Sequence, residues 1–161
     1  MSQLPMAMKN VIQLAFGDKE QRDFHRVVHL LASDPFAPMI REWDKVIGES
    51  EQVPPSDDDL SIGYRWGEIV VSFSVVGPYA LVGKWRISTE VLTQPGNDPI
   101  EQFIFEQLEQ EGFSVMSADQ LMVEVPLYRG DAEMFNEGED SILFNYLFTE
   151  WALPVWMQPS S

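Results

Sequence analysis

The stretch LSIGYRWGEIVVSFSVVGPYALVGKWRISTEVL, residues 60–92, decides the fold. Leu60, Ile62, Tyr64 and Trp66 alternate with Ser61, Gly63 and Arg65. After Gly67-Glu68, Ile69, Val71, Phe73 and Val75 take up the same period. Gly77-Pro78 then breaks the run before Tyr79, Leu81, Trp85 and Ile87. Period-2 alternation of β-branched and aromatic residues fits a sheet with one buried face. The short Gly and Pro breaks favour antiparallel neighbours, because parallel strands need long crossovers. The expectation is a three-stranded meander, with Tyr64, Trp66, Phe73, Tyr79 and Trp85 on one apolar face beneath helices. Arg65, Ser72, Ser74, Lys84, Arg86 and Ser88 fall on the other face. It reads as the solvated side of an antiparallel sheet or as a partner surface.

Working back from the meander, residues 49–59 (ESEQVPPSDDD) form an acidic, proline-stiffened connector. Its Asp57, Asp58 and Asp59 lack the alternating ligands, central glycine and late glutamate of a calcium loop. Ahead of it, residues 1–48 read as a helical segment. A helix over 4–16 ends at Gly17, and a second starts at Asp18 with Gln21 closing a capping box. Phe24, Val27, Val28 and Leu31 form the inward stripe of that second helix. On its other side lie Arg22, His25, Arg26 and His29. Two histidines one turn apart suit a metal, but the pair has no glutamate between them and two arginines beside them. Pro38 opens a third helix, Met39, Ile40, Trp43, Val46 and Ile47 line it, and Gly48 ends it.

Working forward, Asp98-Pro99 with Glu101 reads as a capped helix start. Ile100, Phe103, Ile104 and Leu108 face inward, and Gly112-Phe113 closes the helix. Glu101, Glu106, Glu109 and Glu111 are expected to leave its outer side acidic. Two shorter strands over 113–116 and 121–127 follow, then a second acidic loop, DAEMFNEGED, at 131–140. A final helix begins near Ile142 and leads into an apolar tail. The fold class is therefore α+β. A single domain spans 1–161, with a helical segment at 1–48, a linker at 49–59 and a sheet-containing body at 60–161.

Charge is the strongest compositional fact. The chain has 161 residues and a formal net charge of −16. Residues 1–48 hold six Lys/Arg and six Asp/Glu; residues 49–161 hold four and twenty. The entire excess lies on the sheet-containing body. Such a field opposes phosphate contacts and attracts basic partners, raising on-rates by about 10- to 10³-fold at low salt. Nucleic acid and membranes are not expected partners. The absence of cysteine excludes disulfides, thiolate metal sites and thiol catalysis. No apolar run is long enough to span a bilayer, and residues 1–15 lack a secretory signal pattern. A cytoplasmic location is expected. No GxSxG, P-loop or strand-linked GxGxxG occurs, so no catalytic residue, cofactor or metal is assigned.

Three segments carry a resemblance: Tyr64-Arg65-Trp66-Gly67, the stretch from Gly112-Phe113 through Leu121 to Pro126, and Leu143-Phe144 with Leu147-Phe148. Together with the order of acidic lip, meander, capped helix, strand pair, acidic loop and final helix, they resemble small acidic immunity proteins of bacterial polymorphic toxin systems. The resemblance implies a non-enzymatic protein that binds and neutralises one cognate toxin. The expected contact residues are Asp57, Asp58, Asp59, Asp131, Glu133, Phe135, Glu137, Glu139 and Asp140. Phe135 would be the anchor, because buried aromatics carry more affinity than rim charges. The element order also resembles acidic type III secretion chaperones, which would imply an effector partner and a dimer through Ile100, Phe103 and Phe105. An enzyme of unrecognised class, pairing carboxylates with His25 or His29, is the third alternative.

Overall fold

The computed structural model describes residues 5–17, 23–54, 59–85, 89–123, 125 and 142–148. Three helices come first: α1 (Met6–Phe16), α2 (His25–Ser33) and α3 (Ala37–Ile47). The strands β1 (Glu51–Gln52), β2 (Ser61–Trp66), β3 (Ile69–Ser74), β4 (Tyr79–Trp85) and β5 (Thr89–Leu92) follow. Then come α4 (Pro99–Gln110), β6 (Ser114–Val115), α5 (Ala118–Leu121) and α6 (Phe144–Leu147). The fold is α+β, and the sheet is mostly antiparallel, in the order β1-β2-β3-β4-β5. β6 pairs in parallel with β4 at Tyr79 and Ala80, on the stretch that β5 leaves free.

The meander is longer than its apolar pattern indicates. The third run divides into β4 and β5, and the connector contributes Glu51-Gln52 as an edge strand against Arg65 and Tyr64. A two-residue polar strand leaves no hydrophobic period to read. Between 121 and 127 the described residues include no strand. Ser117 accepts from the Gln120 amide and the Gln120 side chain accepts from the Ser117 amide, so this capping box starts the turn of α5 instead.

Register also corrects the two faces. Ile62, Tyr64 and Trp66 pair with Phe73, Val71 and Ile69, which pair in turn with Ala80, Val82 and Lys84. Lys84 therefore shares the aromatic face, while Tyr79 falls in the opposite phase; the side chains of Trp85, Arg86 and Ser88 lie outside the described residues. The Gly77-Pro78 turn shifts the alternation by one residue, which exchanges the faces expected for Tyr79, Leu81 and Lys84. The second face is solvated only in part: Arg65 is exposed and Ser61 and Ser72 are half-buried, whereas Val70, Ser74, Tyr79 and Leu81 are buried.

On the first face, Phe73 is fully buried and its ring meets those of Phe36, Trp43, Tyr64 and Phe113. Trp43 of α3 also contacts Trp66 and Phe103, which ties α3 and α4 to the sheet. Two aspartates latch the helical layer to β2. Asp34 takes a left-handed conformation at the end of α2. One of its oxygens accepts from the Phe36 amide and the other from the Tyr64 hydroxyl. Asp44 accepts from the amide and hydroxyl of Ser50, and from the Trp66 indole, each at 3.1 Å. These two acids are structural, as buried polar groups need partners.

The Tyr64 latch has a pH signature. Burial first, and then the bond to Asp34, push the Tyr64 hydroxyl well above the ordinary value of 10.0. Stability from this group is complete below pH 10 and is lost as pH rises toward the folded value. Tyr64→Phe should cost about 1–2 kcal/mol at pH 7 and flatten the alkaline loss, read by urea unfolding from pH 7 to 11. Tyr79, raised by burial, leaves a residual slope of the same sign.

Helix α2 begins at His25, not Asp18: Asp23 and Phe24 are outside it, and the Asp23 carboxylate accepts from the His25 amide. The proposed Asp18–Gln21 box lies outside the described residues. Val28 and Val46, placed inward by their spacing, are 61% and 65% exposed, because only Val27 of α2 and Ile40 and Trp43 of α3 are buried. Helix α1 packs beside the β3–β4 turn. A Cβ on Gly77 would collide with Val11 and press on the Tyr79 ring. Gly77→Ala should therefore cost about 1–3 kcal/mol by overpacking, and Val11→Ala in the same chain should recover much of that loss in thermal unfolding.

Candidate functional site

Of the nine residues expected to contact a partner, only Asp59 lies within the described structure. It is partly buried at a bridge position just before β2. Asp57, Asp58, Asp131, Glu133, Phe135, Glu137, Glu139 and Asp140 lie outside the described residues. The acidic concavity that the structure does display is elsewhere, between β5 and α4.

Its floor comes from three elements. Lys84 of β4 stands across from Glu90 of β5 in the antiparallel register. Lys84 Nζ lies 3.5 Å from Glu101 Oε2, and the two side chains are 17% and 6% exposed. The other Glu101 oxygen accepts from the Gly96 amide at 3.4 Å. Glu101 is thus turned inward and does not complete the expected capping box; Asp98 caps α4 alone by accepting from Ile100 N. The reason is helical phase. Glu101, Ile104 and Leu108 share the buried stripe of α4, whereas Ile100 and Phe103 are only partly covered.

The loop after β5 forms the wall. One hollow of about 570 Å³ lies over Lys84, Glu90, Asp98 and Glu101. A second, of about 430 Å³, is lined by Phe105, Glu106, Glu109 and Phe113. Thr93, Gln94 and Pro95 border both. Glu90, Glu106 and Glu109, which line these hollows, are exposed. Three carboxylates thus face one ammonium in the first hollow, and two carboxylates line the second without a cation. The arrangement suits lysine or arginine side chains, whose charge would be attracted by the excess carboxylates.

The same geometry shows what signals went unread. Lys84 follows Ala80 and Val82 at period 2 on a buried face, and Glu101 precedes Ile104 and Leu108 at helical spacing. Opposite charges at two positions in phase with buried neighbours are a pairing signal. His25 and His29 are exposed on α2 and line neither hollow, while Arg26 reaches the Leu14 carbonyl. Among the described residues no group of three or more His, Asp or Glu is placed to hold a metal ion. Nor is any described helix long and apolar enough to cross a membrane.

Compared with protein-family models, curated proteins and solved structures, the chain matches none.

Proposed function

We propose that this protein is a non-enzymatic immunity protein that binds a cognate bacterial toxin through its acidic body and masks a basic site on it. The observation that supports this reading most is the segregation of charge: twenty acidic against four basic residues from position 49 onward, with a neutral segment before it. The exposed carboxylates around the β5–α4 concavity belong to that body, whereas Asp34 and Asp44 of the neutral segment are engaged internally. Solubility alone would be served by charge spread over the whole chain. A one-sided field instead steers encounter with an oppositely charged partner.

The reading is tested by affinity capture from the native organism, followed by reconstitution with the captured protein. The expected result is a basic protein whose toxic activity is blocked at equimolar ratio. Its association rate should fall as salt rises, while dissociation changes little. A captured protein that keeps full activity in the complex would overturn the proposal, as would a stable dimer of this chain holding only an extended effector segment.

A further inference from the structure

We propose that the outer edge of β5 is a strand-docking site for an extended, lysine- or arginine-bearing segment of the partner protein. This deepens the inhibitor reading and rests on it for the identity of the partner. Among the described residues β5 is the last strand of its sheet, and no strand pairs its outer side. Glu90 is exposed, and Val91 and Leu92 are only partly covered. At the opposite edge the last strand is β1, only two residues long and likewise without a described strand on its outer side. There β1 covers part of β2, and the Phe148 carbonyl accepts from the Leu60 amide and the Ser61 hydroxyl. An open edge offers a ladder of backbone donors and acceptors to an incoming strand.

Charge selects the occupant. A strand added to β5 directs alternate side chains to the sheet face that carries Glu90, Lys84 and the Glu101 carboxylate. Basic side chains at every second position would enter the hollow over these groups, and acidic ones would be repelled. A second copy of this chain is disfavoured as the occupant. Two β5 strands paired edge to edge would bring their Glu90 carboxylates onto the same sheet face, and like charges across a ladder are destabilising.

The probe is a capped peptide alternating arginine with valine, followed by amide NMR and calorimetry on the whole chain. Shifts should centre on Glu90, Val91, Leu92 and Thr93. N-methylation of one alternate set of peptide amides should weaken binding by about tenfold or more, and methylation of the other set should leave it nearly unchanged. Replacing arginine by glutamate should abolish binding. In the protein, Val91→Pro and Leu92→Pro place the missing amide on opposite sides of β5. The outward-facing change should leave the melting temperature near wild type and remove peptide binding.

Equal effects from both methylated sets would overturn the proposal. So would shifts away from β5, peptide-independent dimerisation through β5, or an absence of binding at low salt. If a toxin is inhibited with unchanged affinity by a folded outward-facing proline variant, strand docking falls and the inhibitor reading stands. If arginine peptides dock on β5 while no toxin is inhibited, the inhibitor reading falls and the docking site stands.

Discussion

Phe73→Ala is expected to lower the unfolding free energy by about 3–5 kcal/mol. Phe73 is fully buried at the centre of β3, with ring centroids 5.1 Å from Phe36, 5.3 Å from Phe113 and 5.8 Å from Trp43. Deleting the ring removes its transfer free energy and leaves a cavity that three elements border. None of them can collapse into it without losing contacts to the others. A domain of this size has a total stability of about 5–15 kcal/mol, so the loss is a large part of it. Phe73→Leu, which keeps most of the volume, should cost less than about 1.5 kcal/mol. Urea unfolding measures both. An alanine cost below that of leucine would mean that the aromatic cluster is not the centre of the core.

The same cluster explains what could be read from sequence. Tyr64, Trp66 and Phe73 repeat every second residue within uninterrupted runs, so their shared burial follows from strand geometry alone. Helix ends at Gly17, Gly48 and Gly112 were legible for a local reason: each glycine has positive φ, which side chains disfavour. The reading failed wherever the outcome depends on a non-local choice. Gly77-Pro78 announces a turn but not the number of residues it absorbs, so the faces of Tyr79 and Lys84 do not follow from the sequence pattern. Val46 continues the apolar spacing of α3, yet only Ile40 and Trp43 of that helix are buried and Val46 stays exposed. The β5–α4 concavity was hidden for the same reason, as its floor joins positions 84, 90 and 101 through strand pairing and helix packing. Glu106, Glu109 and Glu111, by contrast, lie outward as their helical phase indicates.

Lys84→Met should be destabilising and, under the proposed reading, should also accelerate partner capture. The two effects have one cause. Lys84 is the cation that Glu101 faces at 3.5 Å, in a place where both side chains are largely shielded from water. Removing it leaves a carboxylate in a low-dielectric floor with only the Gly96 amide, at a cost of about 3 kcal/mol. Glu101→Gln should cost less, since the amide keeps an acceptor for Gly96 and Lys84, 17% exposed, can still meet water. In the double variant the uncompensated charge is gone, so its cost should fall below the sum of the single losses by about 1–2 kcal/mol. A cycle that closes additively would show that the pair is not coupled. At the surface of the concavity the sign reverses, because deleting one positive charge makes the carboxylate-rich hollow more attractive to a basic protein. Stopped-flow association at low salt should therefore be faster for Lys84→Met than for wild type, with the difference fading as salt screens the field. Lower stability with slower capture would separate the concavity from the binding surface and leave the ion pair a purely structural role.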